Sequence, residues 1–550
     1  LTTVVPGIKI RIIKRRYMSD AASFPNLNGP RKIESERQNV EDRRKTRKLR
    51  HRPKPAASFP TNIATYAIVV SSKTSNLWGA VVKALSDKHG EAPILSYNHN
   101  ISDIKSALQS LGPCLRHVAF VAHWSECGER YVRSIHSLTC EIDSRSPFSD
   151  VIWGVITGYN ELEALKMVTE TEQPLTIRHV VSGSVEGVDL RAFESGIAFN
   201  ELIKDHSVEK NMETTHSSTS GTETETGGDV VWLTQDSTML VANAIEDPRT
   251  NMIVTSGHAR ESEWNLGFHF PGGQFRPSSS DGSMHAFPLG QSIGPDAIPL
   301  NKGSNNGSGT SREIRCASTP KVYSAAGNCL MGHVNSQNCM ALAWMKSCGV
   351  RQMFGYTVKT YFGYAGWGVH RYLWANVGDL TFSEAYFANL QALQCRLMQA
   401  KEEVANGAQD QRKCLANGAQ DKWLKGLMFD RAATVFFGDP SWEARMLPQW
   451  CQYEIKLSSS STNNDTELTI VVQVTTLTSG CWTPTCPDDK TTLPGRPPFL
   501  LLEASDDNTK VRPTHVSAEL VITPLFVLMP LSGKFDAGEV HVRKVVLSNL

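Results

Sequence analysis

Two short stretches carry residues able to make and break an acyl bond: MIVTSGHARESEW at 252–264, with His258, and KVYSAAGNCLMG at 321–332, with Cys329. An imidazole titrates near neutrality and can move a proton in either direction, while a thiolate is a strong nucleophile. Side by side they form a nucleophile and its base, a pair assembled in space that need not be close in sequence. The two stretches share a plan. A β-type run ends in a small-residue turn, Gly257-His258-Ala259 in one and Gly327-Asn328-Cys329 in the other. Parallel sheets collect ligand and catalytic groups at the carboxyl ends of their strands, so neighbouring strands would bring imidazole and thiol together. Glycine permits the sharp turns and close backbone approach that such ends need. A helix starting after Cys329 would offer free amides to a thiolate and to an oxyanion. By residue type alone, ordinary loop positions remain the alternative, since the chain has 16 histidines and 12 cysteines.

The elements needed to position these residues read as an α/β sheet. TYAIVVSS, from Thr65, is a buried strand, and NLWGAVVKALSDKHG is the helix after it. APILSYN, HVAFVAH and VIWGVITG continue as strands, with ISDIKSALQSL and ELEALKMVTE as helices. Continuous apolar strands alternating with amphipathic helices predict a parallel sheet covered on both faces. Past Cys329, NCMALAWMKSCG is a helix closed by Gly349, RQMFGYTV a strand and FSEAYFANLQALQCRLMQAKEEV a long helix. ANGAQD occurs at 405–410 and again at 416–421, a local duplication rather than a repeat array. Beyond Pro448 the runs YEIKLSSS, ELTIVVQVTTL, AELVITPLFVLM and VHVRKVVLSNL predict a small all-β domain, a sandwich. The expected organisation is a disordered basic tail at 1–60, an N-terminal α/β subdomain at 61–204 and a low-complexity insertion at 205–228. A second α/β subdomain at 229–448, with a flexible insertion at 277–311, carries both stretches, and the β domain occupies 449–550.

Composition narrows the function classes. Apolar residues make up 40% and charged residues 20% of 550, as in globular proteins. The net charge of +1 hides an asymmetry: residues 1–54 hold 16 Lys/Arg against 5 Asp/Glu. Such a tail suits solvated disorder, nucleic acid, a nuclear address or an acidic membrane. It has no interleaved aromatics and no nucleic-acid module, so no nucleic-acid partner is expected. No run reaches the roughly 18 to 20 apolar residues of a transmembrane helix. The cysteines show no CxxC pair at zinc spacing, and CWTPTC (Cys481, Cys486) is either a small disulfide loop or two free thiols. The compartment is therefore open between cytoplasm and secretion. An α/β hydrolase is disfavoured because no Gly-x-Ser-x-Gly elbow precedes a helix.

Taken together, these segments resemble the caspase-like superfamily of cysteine peptidases, and within it the gingipain family. The resemblance rests on chain order, with a histidine ending one strand and a cysteine ending the next core strand, and on GNCLMG. It rests also on FFGDPSWEARM at 436–446, similar to the Phe-Gly-Asp-Pro-Ser segment that closes the gingipain catalytic domain. It covers about 65–550, most strongly 250–445. The fold implied is a caspase-like, mostly parallel sheet flanked by helices, followed by a small all-β immunoglobulin-like domain. The activity implied is a cysteine endopeptidase acting on a peptide or protein substrate through a thioester. Cys329 would be the nucleophile and His258 the acid and base, with the amides of Cys329 and Ala259 holding the oxyanion.

The family usually has glycine directly after the histidine; here Gly257 precedes it and Ala259 follows, which serves if the backbone angles of Ala259 are ordinary. Glu261 and Glu263 are candidates to orient the imidazole, and Asp150 belongs to the rim. Trp264, Tyr364 and Trp367 are divided between pocket lining and core packing. YFGYAGWGVHRY reads as a loop beside the site or a tight turn in the core. Related enzymes hold calcium, but no contiguous oxygen-ligand loop stands out, so no metal or cofactor is expected. The alternative is a catalytically inactive caspase-like scaffold that binds other proteins. Residue preference at the cleaved bond is not legible.

Overall fold

The computed structural model describes residues 4–5, 8–9 and 64–548, apart from 113, 143–146, 184–191, 199–237, 267–272, 289–310, 316–318, 361–363, 407–418, 462–466, 483–494 and 503–513. Nearly all of the basic tail, the insertion at 205–228, the stretch joining the two ANGAQD copies and Cys486 lie outside the described residues.

Ten strands form the central sheet: β1 (Tyr66–Ser71), β2 (Ile94–Tyr97), β3 (His117–Val121), β4 (Ile152–Ile156), β5 (His179–Gly183), β6 (Ser195–Ala198), β7 (Met252–Gly257), β8 (Lys321–Asn328), β9 (Val350–Tyr356) and β10 (Thr434–Phe437). Their spatial order is β2-β1-β3-β4-β10-β9-β8-β7-β5-β6. Every neighbouring pair is parallel except β9 with β10. The sheet therefore consists of two parallel halves of opposite sense, joined along one antiparallel seam. Tyr356 at the end of β9 pairs with Thr434 at the start of β10, and Phe437 pairs with Val155 of β4. The carboxyl ends of β7, β8 and β9 thus share a sheet edge with the starts of β10 and β4.

Strand periodicity distributes the core. In β1, Ile68 and Val70 pack with Val81, Val82 and Leu85 of α1 (Gly79–Lys88) and with Ala164 and Val168 of α3 (Glu161–Thr169). Ala67 and Val69 point the other way, into the cluster holding Val132, Ile135 and Leu138 of α2 (Glu129–Thr139). With both faces covered there is no polar alternation, which is why these strands read as unbroken apolar runs. Local signals set the helix ends. Asn160 caps α3 by accepting from Glu163 N at 3.0 Å. Thr381 and Glu384 form a reciprocal capping box for the long α7 (Phe382–Asn406), with bonds of 2.8 and 3.2 Å. Gly349, at φ +70°, ends α5 (Met340–Ser347) in the left-handed conformation that favours glycine. Two further helices flank the second half, α6 (Tyr364–Ala375) and α8 (Ala419–Asp430); α4 (Thr238–Glu246) precedes β7.

Two expectations are corrected. YFGYAGWGVHRY is neither loop nor tight turn from Tyr364 onward; it is α6, despite its glycines. A Cβ on Gly366 would lie 2.1 Å from Ala326 O, and one on Gly368 would lie 1.7 Å from Asn389 Oδ1. These glycines let the helix approach β8 and α7 closely, so packing overrides propensity. In addition, 277–311 is not wholly an insertion. Met284–Phe287 is a strand of a five-stranded antiparallel sheet with Ala259–Arg260, Glu263–Asn265, Gln274–Pro277 and Arg312–Glu313.

After residue 450 the chain is all β among the described residues. Tyr453–Ser461, Glu467–Thr476 and Val540–Ser548 make one antiparallel sheet; Phe499–Leu501, Phe526–Leu528, Val521–Ile522 and His515–Val516 make another. Ile470, Val472 and Val474 from the first share a core with Ile522 and Val527 from the second. The second sheet is apolar on its other face too. There Phe499 and Phe526 join the main core, meeting Phe387 of α7 edge-on.

Candidate active site

β7 and β8 are adjacent and parallel, and Gly257 pairs with Asn328 across them. His258 and Cys329 are therefore the next residues beyond the same edge, on strands about 4.8 Å apart. Each end is held by specific bonds. Gly257 sits at φ +110°, a conformation L side chains rarely adopt, which accounts for glycine before the histidine. His258 is exposed, and its carbonyl accepts from Asn265 N at 3.0 Å, opening the small antiparallel sheet. Ala259 pairs with Trp264, and the bond from Asn265 to His258 flanks that pair. Ala259 is thus in a non-hydrogen-bonded position of the ladder, with its amide directed away from the Glu263–Asn265 strand. The non-glycine residues with positive φ among those described are Glu91 and Leu330, so Ala259 has ordinary backbone angles.

Cys329 is a half-buried free thiol. Its Sγ accepts the Thr360 backbone N–H at 3.1 Å. The following residue, Leu330, has φ +58°, and its N–H donates to Val358 O at 3.0 Å. A bulky residue in the left-handed region stores strain of about 1–3 kcal/mol, of the kind that clusters at functional sites. The turn holds because Gly332 N donates to Tyr356 O at 2.9 Å and His333 N to Leu330 O at 3.0 Å. The expected helix directly after Cys329 is absent from this position. Turns and bends continue to Cys339, and α5 begins at Met340 with its first amide on Glu261 O at 2.7 Å. The N–H that meets the sulfur is thus the Thr360 amide rather than one at a helix N-terminus.

Under the pair runs a buried polar ladder. The Thr255 hydroxyl lies 2.7 Å from Tyr323 OH and donates to Asn328 Oδ1 at 2.5 Å, and Asn328 Nδ2 donates to Gly257 O at 3.3 Å. Asn328 is fully buried, so one amide side chain links the ends of both strands. Sequence reasoning singled out neither Asn328 nor Thr360. An asparagine inside an otherwise small and apolar run was the available signal for the first; the second had none, because a backbone amide acts there.

The carboxylate candidates have these partners and positions. Glu261 accepts from Asn335 Nδ2 at 3.3 Å, while Glu263 pairs with Arg276 at 3.1 Å and more loosely with Arg260 at 3.9 Å. Asp150 shares the sheet edge but is buried, at 1% exposure, before β4. Three interstrand steps separate β4 from β8, about 14 Å. Trp264 is wholly buried and stacked on Phe275 at 5.0 Å, and Tyr364 is buried with Arg496 3.9 Å over its ring. Trp367 packs beneath the site, where a Cβ on Gly327 would lie 2.5 Å from its ring. Behind it, burial lowers His370 to about 3, and this neutral ring bonds Ser324 Oγ of β8.

FFGDPS also acquires a physical role. Asp439 is wholly buried and accepts from Tyr66 OH at 3.0 Å, His89 Nε2 at 2.9 Å and Lys88 Nζ at 2.9 Å. Burial works against its charge, but the His89 hydrogen bond and the Lys88 ammonium outweigh it and hold the carboxyl well below its usual range. Among the described residues no group of three or more His, Cys, Asp or Glu is arranged to hold a metal, and no helix is long and apolar enough to cross a membrane.

No family model matches the chain, and no curated protein matches it. Among solved structures it is similar to the complex of Porphyromonas gingivalis RgpB pro- and mature domains, at 12% identity and a TM-score of 0.40, over 88% of this chain and 99% of that one.

Proposed function

We propose that the chain is a cysteine endopeptidase working through His258 and Cys329. The observation that supports this reading is the register of β7 on β8: with Gly257 opposite Asn328, His258 and Cys329 are the next residues of two adjacent strands past one sheet edge. In the proposed reaction the Cys329 thiolate attacks the scissile carbonyl carbon, and the amides of Cys329 and Ala259 take the developing oxyanion. The C–N bond breaks as His258 gives a proton to the leaving amine, leaving an acyl thioester. His258 then removes a proton from water, which attacks the thioester; the acid leaves and the thiolate is restored. The Thr360 amide donates to the sulfur, and the Asn328 side chain keeps the two strand ends in register. The likeness of GNCLMG and FFGDPS to gingipain segments points the same way. It suggests a caspase-like core with an immunoglobulin-like β unit after it.

The test is labelling with peptide electrophiles carrying Arg, Lys, Asp or Asn at the leading position, read by mass spectrometry of the Cys329 peptide. Expected are covalent modification at Cys329, loss of labelling in Cys329→Ala, and slowing by about 100-fold or more in His258→Ala. Labelling that persists in Cys329→Ala overturns the nucleophile assignment. A chain that binds such peptides with no reaction at Cys329 is the inactive scaffold instead.

A further inference from the structure

Arg496 belongs to the C-terminal β region, just before the Phe499–Leu501 strand, yet its guanidinium is buried against α6 and α7. Nε donates to Asn389 Oδ1 of α7 at 2.9 Å, Nη2 to Tyr364 O of α6 at 3.1 Å, and Nη1 to Gly495 O at 2.9 Å. The same group covers the Tyr364 ring, 3.9 Å from its centroid. Asn389 completes the grip, its Nδ2 donating to Tyr364 O at 3.2 Å and to Ala365 O at 2.8 Å. Gly368 makes the room: a Cβ there would lie 1.7 Å from Asn389 Oδ1 and 2.3 Å from Arg496 Nε. Tyr364 and Gly368 are four residues apart, so both lie on the face of α6 that meets Arg496.

The opposite face meets β8. Gly366 and His370 stand about 200° round the helix from Tyr364 and Gly368. Gly366 packs on Ala326 O, and His370 bonds Ser324 Oγ. Trp367 reaches Gly327, where a Cβ would lie 2.5 Å from the indole ring and 2.9 Å from Ser256 Cβ of β7. Gly327 with Ser256 is the first pair after the register shift between β7 and β8, one step before Gly257 meets Asn328. α6 is thus held between Arg496 and Asn389 on one side and the part of β8 leading into Cys329 on the other.

We infer that Arg496 is a positioning residue for the Cys329 nucleophile: through α6 it keeps the end of β8 in register with the end of β7. This rests on the His258–Cys329 pair of the proposed function, but not on the substrate being a peptide.

The test is alkylation of Cys329 by iodoacetamide at pH 6.5 in the full chain, followed by peptide mapping, with half-buried Cys114, ahead of β3, as the internal control. Arg496→Ala and His258→Ala are each expected to slow Cys329 relative to Cys114 by about tenfold, as loss of one charge-assisted hydrogen bond would. The double variant is expected to be no slower than His258→Ala, because changes that act through one pair do not add. Arg496→Lys keeps the charge but not the fork, so a smaller change of the same sign is expected, and it serves if Arg496→Ala does not fold. A folded Arg496→Ala, or failing that a folded Arg496→Lys, with a wild-type ratio of Cys329 to Cys114 overturns the inference. Full additivity with His258→Ala overturns it as well, since that marks general loosening. If His258→Ala alone alkylates at the wild-type rate, the Cys-His pair fails first and the inference falls with it. Non-additive slowing in a chain that cleaves no peptide leaves the inference standing and sinks the endopeptidase reading alone.

Discussion

At the residue scale, the candidate site depends on groups that never touch a substrate. Asn328, at the end of β8, offers both an acceptor and a donor, and it uses both on β7, at the Thr255 hydroxyl and the Gly257 carbonyl. Replacing it with alanine leaves Gly257 O and the Thr255 hydroxyl without that partner in a buried setting, at a cost of about 1–3 kcal/mol. Asn328→Ala is therefore expected to lower the urea midpoint by that amount. It is also expected to reduce kcat more than it raises KM, because it loosens the His258–Cys329 spacing rather than peptide contacts. An unchanged kcat in a destabilised but folded variant would make the ladder purely structural. Gly257 and Ala259 play complementary parts: the positive φ is met before the histidine, so the residue after it needs no glycine.

At the element scale, α6 shows how packing settles what propensity leaves open. Alanine is favoured over glycine in a helix interior by about 1 kcal/mol. On propensity alone Gly366→Ala should stabilise. The structure predicts the opposite, since the new methyl would meet the backbone carbonyl of Ala326, which cannot move without disturbing β8. A loss of about 1–3 kcal/mol is expected for this overpacking, measured by thermal or denaturant unfolding. A gain in stability would mean that α6 does not press on β8 as described. Because β8 leads directly into Cys329, the same variant is expected to alter alkylation of that thiol.

At the scale of the whole molecule, two buried carboxylates tilt stability with pH in opposite directions. Burial pushes Asp430 up to about 6, against the α6 amides, Tyr356 and Arg496, which favour its charge. Between its unfolded value near 3.9 and about 6 the folded chain binds the extra proton. Its contribution is thus complete below pH 4 and lost as pH rises through 6, a change of about 3 kcal/mol. Asp439 is held well below its usual range, so its contribution is present above pH 4 and lost as pH falls through its folded value. Asp430→Asn is expected to remove the decline between pH 4 and 6. Asp439→Asn is expected to destabilise the protein at pH 7 and to weaken its acid sensitivity. Urea unfolding from pH 3 to 8 reads both slopes, and a wild-type-like decline in Asp430→Asn would contradict the first. The C-terminal β region belongs to this scale too, since its second sheet is buried against the α/β core on one face and against its companion sheet on the other.

What the sequence determined by itself follows from local periodicity and local chemistry. Unbroken apolar runs marked most of the buried strands and Gly349 marked a helix stop, because each signal acts within a few residues. The two turns bearing His258 and Cys329 were legible for the same reason. Other decisions lay with the tertiary structure alone. That β7 and β8 are neighbours, that β9 meets β10 antiparallel across some 80 residues of chain, and that Asp430 caps a helix it does not belong to all arise from contacts between distant segments. No local pattern encodes them. The glycines of α6 misled for that reason: a glycine demanded by a close neighbour is indistinguishable, in sequence, from one demanded by a turn.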